Sequence, residues 1–323
     1  MRCEVVTGDI FCHHNLPGHP ESSERLRLAL SGVPRHVSRL GPVEASRDDL
    51  ERVHRREYLA WLEGMAKGEC YIDFNTYVCG DSFRVAVHAA GSAIAAAAEA
   101  IEGHSCFAMV RPPGHHAEAG HARGYCLLNN AAIAAAASLG SVDRVAIVDW
   151  DLHHGNGTQD IFYATDRVLF CSVHQGDLFP GSGGIGETGT GAGRGYTLNA
   201  PLEAGSAIAD YRLVLDEVFC PAIRRLRPGL LIVSAGQDAL TDEPKGDMAL
   251  VPADYATLTR LLMESADLPL ALVLEGGYGP SHGRAIAAIF RALGGRCPPE
   301  EPRGEPLRAT RETVRILKKV QTR

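Results

Sequence analysis

The chain lacks the features that mark several functional classes. It has no excess of basic charge: 32 Lys and Arg face 39 Asp and Glu, a net of −7 with histidine neutral. That balance gives no electrostatic footprint for a nucleic-acid backbone or an anionic membrane, so neither is an expected direct partner. It has no CxxC pair, and its nine cysteines are scattered singly from Cys3 to Cys297. This argues against a disulfide framework and against a thiolate zinc cluster. It has no apolar run long enough to span a bilayer: the alanine-rich stretches near 93–98 and 131–137 are too short, and MRCEVVTGDIFCHHN lacks the apolar core of a signal peptide. A cytoplasmic location is the resulting expectation. Nor does any repeat or low-complexity linker divide the chain. With 45% hydrophobic side chains, residues 1–323 can bury a large core and are expected to form a single domain.

Alternation of apolar strands with helical patterns is abundant. The strands expected are CFAMV (106–110), RVAIVDW (144–150), RVLFCSV (167–173), LLIVSAG (230–236) and LALVLEG (270–276). Helices are expected over 82–101, 130–139, 156–163, 207–226 and 252–265. Near-continuous apolar strands separated by helices indicate an α/β fold with a central, mostly parallel sheet covered on both faces. Before it, an N-terminal strand and helices over 21–30 and 48–65 are expected to wrap the sheet. After it, Leu307, Thr310, Val314 and Leu317 recur at helical spacing and suit a final docked helix.

In a parallel sheet, ligands gather at the carboxyl ends of the strands. Each expected strand here runs into polar, glycine-rich sequence: RPPGHH, DWDLHHGNG, HQGDLFPGSGG, GQDAL and EGGYG in turn. Asp151 and His153 are two apart at a strand end and can reach one ion from the same face. Asp238, after LLIVSAGQ, is the natural third ligand, leaving room for water as a catalytic zinc site requires. A D-x-H pair can equally be a helix cap beside a surface histidine, and Asp238 alone can be an N-cap. His115 and His116 are delivered side by side by Pro112, Pro113 and Gly114. Paired imidazoles suit general acid–base work on a water, although the segment by itself also suits a second metal site or a structural loop.

RPPGHHA, GYCLLNN, VDWDLHHGNGTQ, FPGSG, SAGQDAL and LEGGY stand in the order and spacing of the zinc-dependent histone deacetylase family, with its acetylpolyamine amidohydrolase relatives. The resemblance spans about residues 10–290, and Asn156 in HHGNG is similar to the class II pattern. It implies a three-layer arginase–deacetylase fold, one catalytic Zn2+, and hydrolysis of an N-acyl amide such as acetylated lysine or a small acylated amine. By motif position, Asp151, His153 and Asp238 would ligate zinc. His115 and His116 match the tandem histidines, with Asp149 and Asn156 as their unequal partners, and Tyr278 matches the transition-state tyrosine. Gly124, Tyr125 and Phe179 match the substrate tunnel, Tyr125 replacing the more usual Phe. Structural K+ or Na+ sites are implied at Asp149, Asp151, His153, Ser172 and Val173, and at Phe162, Thr165, Val168 and Tyr196.

At the rim, Lys245 occupies the position of a variable gatekeeper and Asn75 lies near the substrate-backbone contact. A lysine there repels a polycation and attracts a carboxylate, which predicts weaker activity on acetylpolyamines than on acetyllysine with a nearby free carboxylate; a solvated loop charge is the plain alternative. Other readings are an acetylpolyamine amidohydrolase, a binuclear ureohydrolase, and an inactive acyl-ligand or partner-binding protein. The ureohydrolase lacks support, because Ala239 and Leu240 follow Asp238 where a D-x-D would be needed. An inactive protein would be expected to have lost one of the named residues. A homo-oligomer is left open.

Overall fold

Runs such as VAIV and LLIV have no polar face to show to water, so they are stable only with both faces covered. The computed structural model describes residues 3–295 and 303–321 and contains ten strands: β1 (Cys3–Val6), β2 (Ser38–Leu40), β3 (Cys70–Tyr71), β4 (Tyr77–Val78), β5 (Ser105–Ala108), β6 (Val145–Asp149), β7 (Val168–Gln175), β8 (Thr197–Leu202), β9 (Leu230–Ala235) and β10 (Leu270–Leu274). Eight form one sheet in the order β2-β1-β5-β10-β9-β6-β7-β8, while β3 and β4 make a small hairpin. Every pairing in the large sheet is parallel. Strands β5, β10, β9, β6 and β7 are buried along their whole length.

Helices cover both faces, as the alternating pattern requires. Ser82–Ile101 packs against β5, β10 and helix Asn130–Ser138; the alanines buried on these helices allow close approach. Asn129 starts the second helix by accepting the Ala132 N–H at 3.0 Å, an N-cap bond. Thr310, Val314 and Leu317 of helix Arg308–Gln321 are buried, and that helix docks on β8 and helix Ile208–Val214. Among the described residues no helix is long and apolar enough to cross a membrane, and their eight cysteines are free.

The structure departs from the sequence expectations at several elements, with β2, β3 and β4 as added short strands before residue 80. The helix expected over 48–65 is two, Arg47–Glu51 and Arg56–Met65. Between them the chain turns to meet residues 118–119: Arg55 N donates to Ala119 O at 2.9 Å, and His54 Nδ1 to Glu118 O at 3.0 Å. The helix expected over 207–226 carries a π-turn at Leu215–Phe219, where Pro221 cannot donate to the carbonyl of Glu217. Strand β8 was not expected, because TLNAPL contains Pro201; β8 is an edge strand, where proline is tolerated. Helix His282–Leu293 follows the breaker-rich GYGPS, which masks its start.

Candidate active site

Asp149 is the last residue of β6, and the loop after it carries Asp151 and His153 beside Asp238 from the end of β9. Potential ligand atoms of Asp151, His153 and Asp238 all lie within 4.8 Å of one another. His153 Nδ1 is 3.4 Å from Asp151 Oδ1 and 3.3 Å from Asp238 Oδ2. The two carboxylates are aimed by backbone: Gly276 N donates to Asp151 Oδ2 at 2.8 Å, and Leu152 N donates to Asp238 Oδ1 at 2.9 Å. Two glycines clear the space, since a Cβ on Gly236 would stand 2.1 Å from Asp151 Oδ2 and one on Gly276 2.2 Å from Asp238 Oδ2. Asp238 Oδ2 is buried and accepts no hydrogen bond among the described residues. Burial, then Asp151, pushes the Asp238 carboxyl above its usual range. Two acids and an imidazole converging on a starved oxygen fit a divalent cation of the zinc type.

The tandem histidines reach the same spot from the loop after β5. Glu275 Oε2 accepts the N–H groups of Gly114 at 2.6 Å and His115 at 3.1 Å, fixing that loop to the end of β10. His115 Nδ1 donates to Asp149 Oδ2 at 3.0 Å, whereas His116 Nδ1 donates to Asn156 Oδ1 at 2.9 Å. Glu118 fixes the Asn156 amide by accepting from its Nδ2 at 2.9 Å, which leaves the carbonyl for His116. Burial opposes charging of both rings. For His115 the carboxylates of Asp151 and Asp149 outweigh it, and its pKa is held well above the usual imidazole value. For His116 burial, then the neighbouring His115 and His153, holds it well below. The site therefore offers one charged and one neutral imidazole at neutral pH. His115 also groups with Cys126 and Glu275 as possible ligand atoms within 4.8 Å, all buried.

Tyr278 follows Gly276 and Gly277 on the loop after β10. Its ring meets the Tyr125 ring edge-on at 5.7 Å and faces the Arg25 guanidinium at 5.0 Å. Burial pushes its phenol well above the usual range, so it is a hydrogen-bond donor and not an anion. Arg25 donates to Glu275 O at 2.7 Å and is paired with Glu21 at 2.6 Å.

A cavity of about 210 Å³ joins these groups to the surface. His115, His116, Asp151, His153, Asp238 and Tyr278 line it together with Gly124, Tyr125 and Phe179, and Asn75 and Lys245 also border it. Gly124 has φ +57, and a Cβ there would stand 2.5 Å from His116 Cδ2 and 2.9 Å from Phe179 Cε1. Tyr125 follows at φ +70, a conformation of order 1–3 kcal/mol dearer than the usual ones for a non-glycine residue. Lys245 Nζ lies 5.8 Å from the Tyr125 ring centre. Asn75 Oδ1 accepts from Thr76 Oγ1 at 3.3 Å.

Of the residues expected at cation sites, Ser172 pairs in register with Asp149, next to Val173 on buried β7, and Ser172 Oγ lies 2.9 Å from His174 Nδ1. Phe162, Thr165, Val168 and Tyr196 lie near the carboxyl end of helix Asn156–Phe162: Thr165 N donates to Phe162 O at 3.3 Å, and Phe170 N to Tyr196 O at 2.8 Å. Sequence reasoning passed over Glu21, Arg25, Glu118, Glu243 and Glu275. Glu118 stands in RPPGHHAEAG and Glu243 in DALTDEPKGDM without a signal of their own, whereas Glu275 in LEGGY is a lone acid after an apolar run. His154, which had no clear partner in the sequence, has Nδ1 2.9 Å from Ser182 Oγ and Nε2 3.1 Å from Gln159 Oε1, tying the FPGSG loop to the helix beginning at Asn156.

Residues 19–293 match the histone deacetylase domain family. A "Probable deacetylase" of Archaeoglobus fulgidus is 42% identical over 293 residues, covering 85% of this chain and 82% of its own length. Another from Methanothermobacter thermautotrophicus is 39% identical over 304 residues, covering 90% of each. Histone deacetylase 5 of Arabidopsis thaliana is 36% identical over 303 residues, 85% of this chain but 46% of the plant protein, so the chain spans about half of that relative. The crystal structure of the HDA15 HD domain superposes with a TM-score of 0.92 at 32% identity, covering 99% of this chain and 94% of its own.

Proposed function

Because the chain belongs to the histone deacetylase family, we propose that it is a zinc-dependent deacylase that hydrolyses N-acetyl-lysine, or a related acylated amine, to acetate and free amine. The observation that carries this reading is the single cavity in which Asp151, His153, Asp238, His115, His116 and Tyr278 all present side chains. When bound by Asp151, His153 and Asp238, zinc would polarise the amide carbonyl and acidify a water beside it. His116, neutral and oriented by Asn156, removes the proton of the attacking water and later returns one to the leaving nitrogen. His115, charged against Asp149, stabilises negative charge as it develops. Tyr278 donates its hydroxyl to the carbonyl oxygen as that oxygen becomes anionic. Tyr125 and Phe179 flank the acyl-amine stem and exclude water.

Residues 1–323 are read as one deacetylase domain, with K+ or Na+ in structural roles near β6 and β7. At the mouth, Lys245 favours a substrate carrying a carboxylate and disfavours acylated polyamines. The experiment is a panel of acetylated amines, comprising internal acetyllysine, C-terminal acetyllysine and acetylspermidine, assayed with zinc-loaded and metal-stripped protein. Expected are zinc-dependent acetate release and a higher kcat/KM for C-terminal acetyllysine than for acetylspermidine. A polyamine preference would overturn the specificity reading; no hydrolysis of any acyl amine would overturn the enzymatic one and leave an inactive acyl-ligand-binding protein.

A further inference from the structure

We propose that Glu243 is a positioning residue for Tyr278: it accepts the backbone N–H groups of Tyr278 at 2.8 Å and Gly279 at 2.9 Å through one oxygen, Oε2, and thereby sets where the phenol stands in the cavity. This rests on the deacylase reading above. The two glycines before Tyr278 are held by Asp151, Gln237 and Arg25, and Glu243 extends that fastening to Tyr278 and Gly279; Gly277 sits at φ +128. Glu243 does not border the cavity, so it acts through Tyr278 and not on substrate.

The clip is part of a wider fastening. Ser281 Oγ donates to Asp242 Oδ2 at 2.5 Å, and a Cβ on Gly279 would stand 2.8 Å from Asp242 O, so the two segments touch backbone to backbone. On the far side, Asp247 N donates to Gln175 Oε1 at 2.9 Å. Lys245 lies between these two anchors. One short loop thus carries both the Lys245 cation that borders the cavity and the acid that holds the tyrosine lining it. A carboxyl is a costly choice for a simple loop clip: burial, then Asp238, pushes Glu243 up to about 8, and its Oε1 has no partner among the described residues.

The test is a double-mutant cycle between Glu243 and the Tyr278 hydroxyl, using zinc-loaded full chain. Glu243→Met removes both acceptors while filling similar volume, and Glu243→Gln keeps a carbonyl acceptor. Turnover of acetyllysine is measured together with the Kd of a trifluoromethyl ketone analogue whose hydrate mimics the tetrahedral transition state. With Tyr278 present, Glu243→Met is expected to lower kcat by about 10- to 100-fold, part of the loss for removing an oxyanion donor, and to weaken the analogue by a similar factor. KM should stay within about twofold and Glu243→Gln within about threefold of the parent, because the ground-state contacts remain. In a Tyr278→Phe background, Glu243→Met should change the analogue's Kd by less than about twofold, since the group it positions is gone. Equal losses in both backgrounds, or none with Tyr278 present, would overturn the proposal. Should Tyr278→Phe alone leave turnover unchanged, the role given to Tyr278 in the deacylase reading fails instead.

Discussion

Replacing Glu21 with Gln probes the hidden support of the site. Glu21 is fully buried and holds two arginines: Arg25 Nε at 2.6 Å and Arg111 Nε at 2.9 Å, both also buried. Burial alone would raise its pKa, but Arg111 and Arg25 outweigh burial and bring it down from 4.5 to about 2. A carboxylate depressed by folding contributes stability that is complete above its unfolded pKa and is lost as pH falls through its folded one. From that shift the contribution near pH 7 is about 3 kcal/mol, declining to about 2 kcal/mol by pH ~3.5. Breaking a buried pair by removing one partner costs about 3–5 kcal/mol, because the other charge is stranded, so the two figures agree. The assay is urea unfolding followed by tryptophan fluorescence, for which fully buried Trp150 is the reporter. Glu21→Gln should lower stability by about 3–5 kcal/mol at pH 7, or about 5 °C in Tm for a chain of this length, with a smaller deficit at pH ~3.5. It should also lower kcat, since Arg25 faces the Tyr278 ring and binds Glu275 O. A deficit below about 1 kcal/mol, or one that grows on acidification, would refute the reasoning.

Three further outcomes test the site directly. Asn156→Asp puts a negative charge where an amide oxygen now lies 2.9 Å from His116 Nδ1; it should raise that imidazole's pKa by about 1–3 units and move the acid limb of kcat/KM to higher pH by the same amount. An unmoved limb would mean that His116 is not the base. Asp238→Asn keeps the shape but removes a carboxylate, and chelator competition should show zinc affinity falling by at least about 10- to 100-fold; unaltered affinity would exclude Asp238 as a ligand. Gly124→Ala forces a methyl to within 2.5 Å of His116 Cδ2 at a backbone φ of +57, and because a misplacement of about 1 Å can cost about 100-fold, kcat/KM should fall on that scale. Near-parental kinetics would show that the tunnel wall yields without cost.

What was legible in the sequence was local. The apolar run 144–150 ends in acids and imidazoles, and the carboxyl end of a parallel strand is where ligand sites gather. The same logic marks RPPGHH, GQD and EGGY, each following a buried strand. Less legible were groups that reach the site from elsewhere in the chain. Arg25 lies in the first turn of helix Ser23–Leu30 with Glu21 just before it, and Arg25 meets the backbone of Gly277 across 252 positions of sequence. No periodicity encodes such a contact. Glu243 was hidden for another reason: in DALTDEPKGDM it reads as one of several loop charges, and only the fold shows it buried while Lys245 borders the cavity.

The division of labour between the two histidines is expected from their unequal sequence partners, Asp149 and Asn156, and the structure shows what surrounds each ring. His115 and His116 are adjacent, share one loop and are both buried, so burial pushes both toward neutrality. What separates them is carboxylates against an amide: Asp151 and Asp149 stand 3.7 Å and 3.0 Å from the first ring, while the second has the Asn156 amide at 2.9 Å. A neutral partner orients an imidazole without stabilising its charge; an anionic one does both. Once His115 is charged, it acts as a nearby cation on its neighbour and lowers His116 further, so the difference reinforces itself. A divalent cation at Asp151, His153 and Asp238 would act on His116 in the same direction, adding positive charge close to its ring. On the deacylase reading the proposed base, His116, is thus kept neutral by its own loop neighbour, and the residue that could reverse this is Asn156, whose amide Glu118 holds in place.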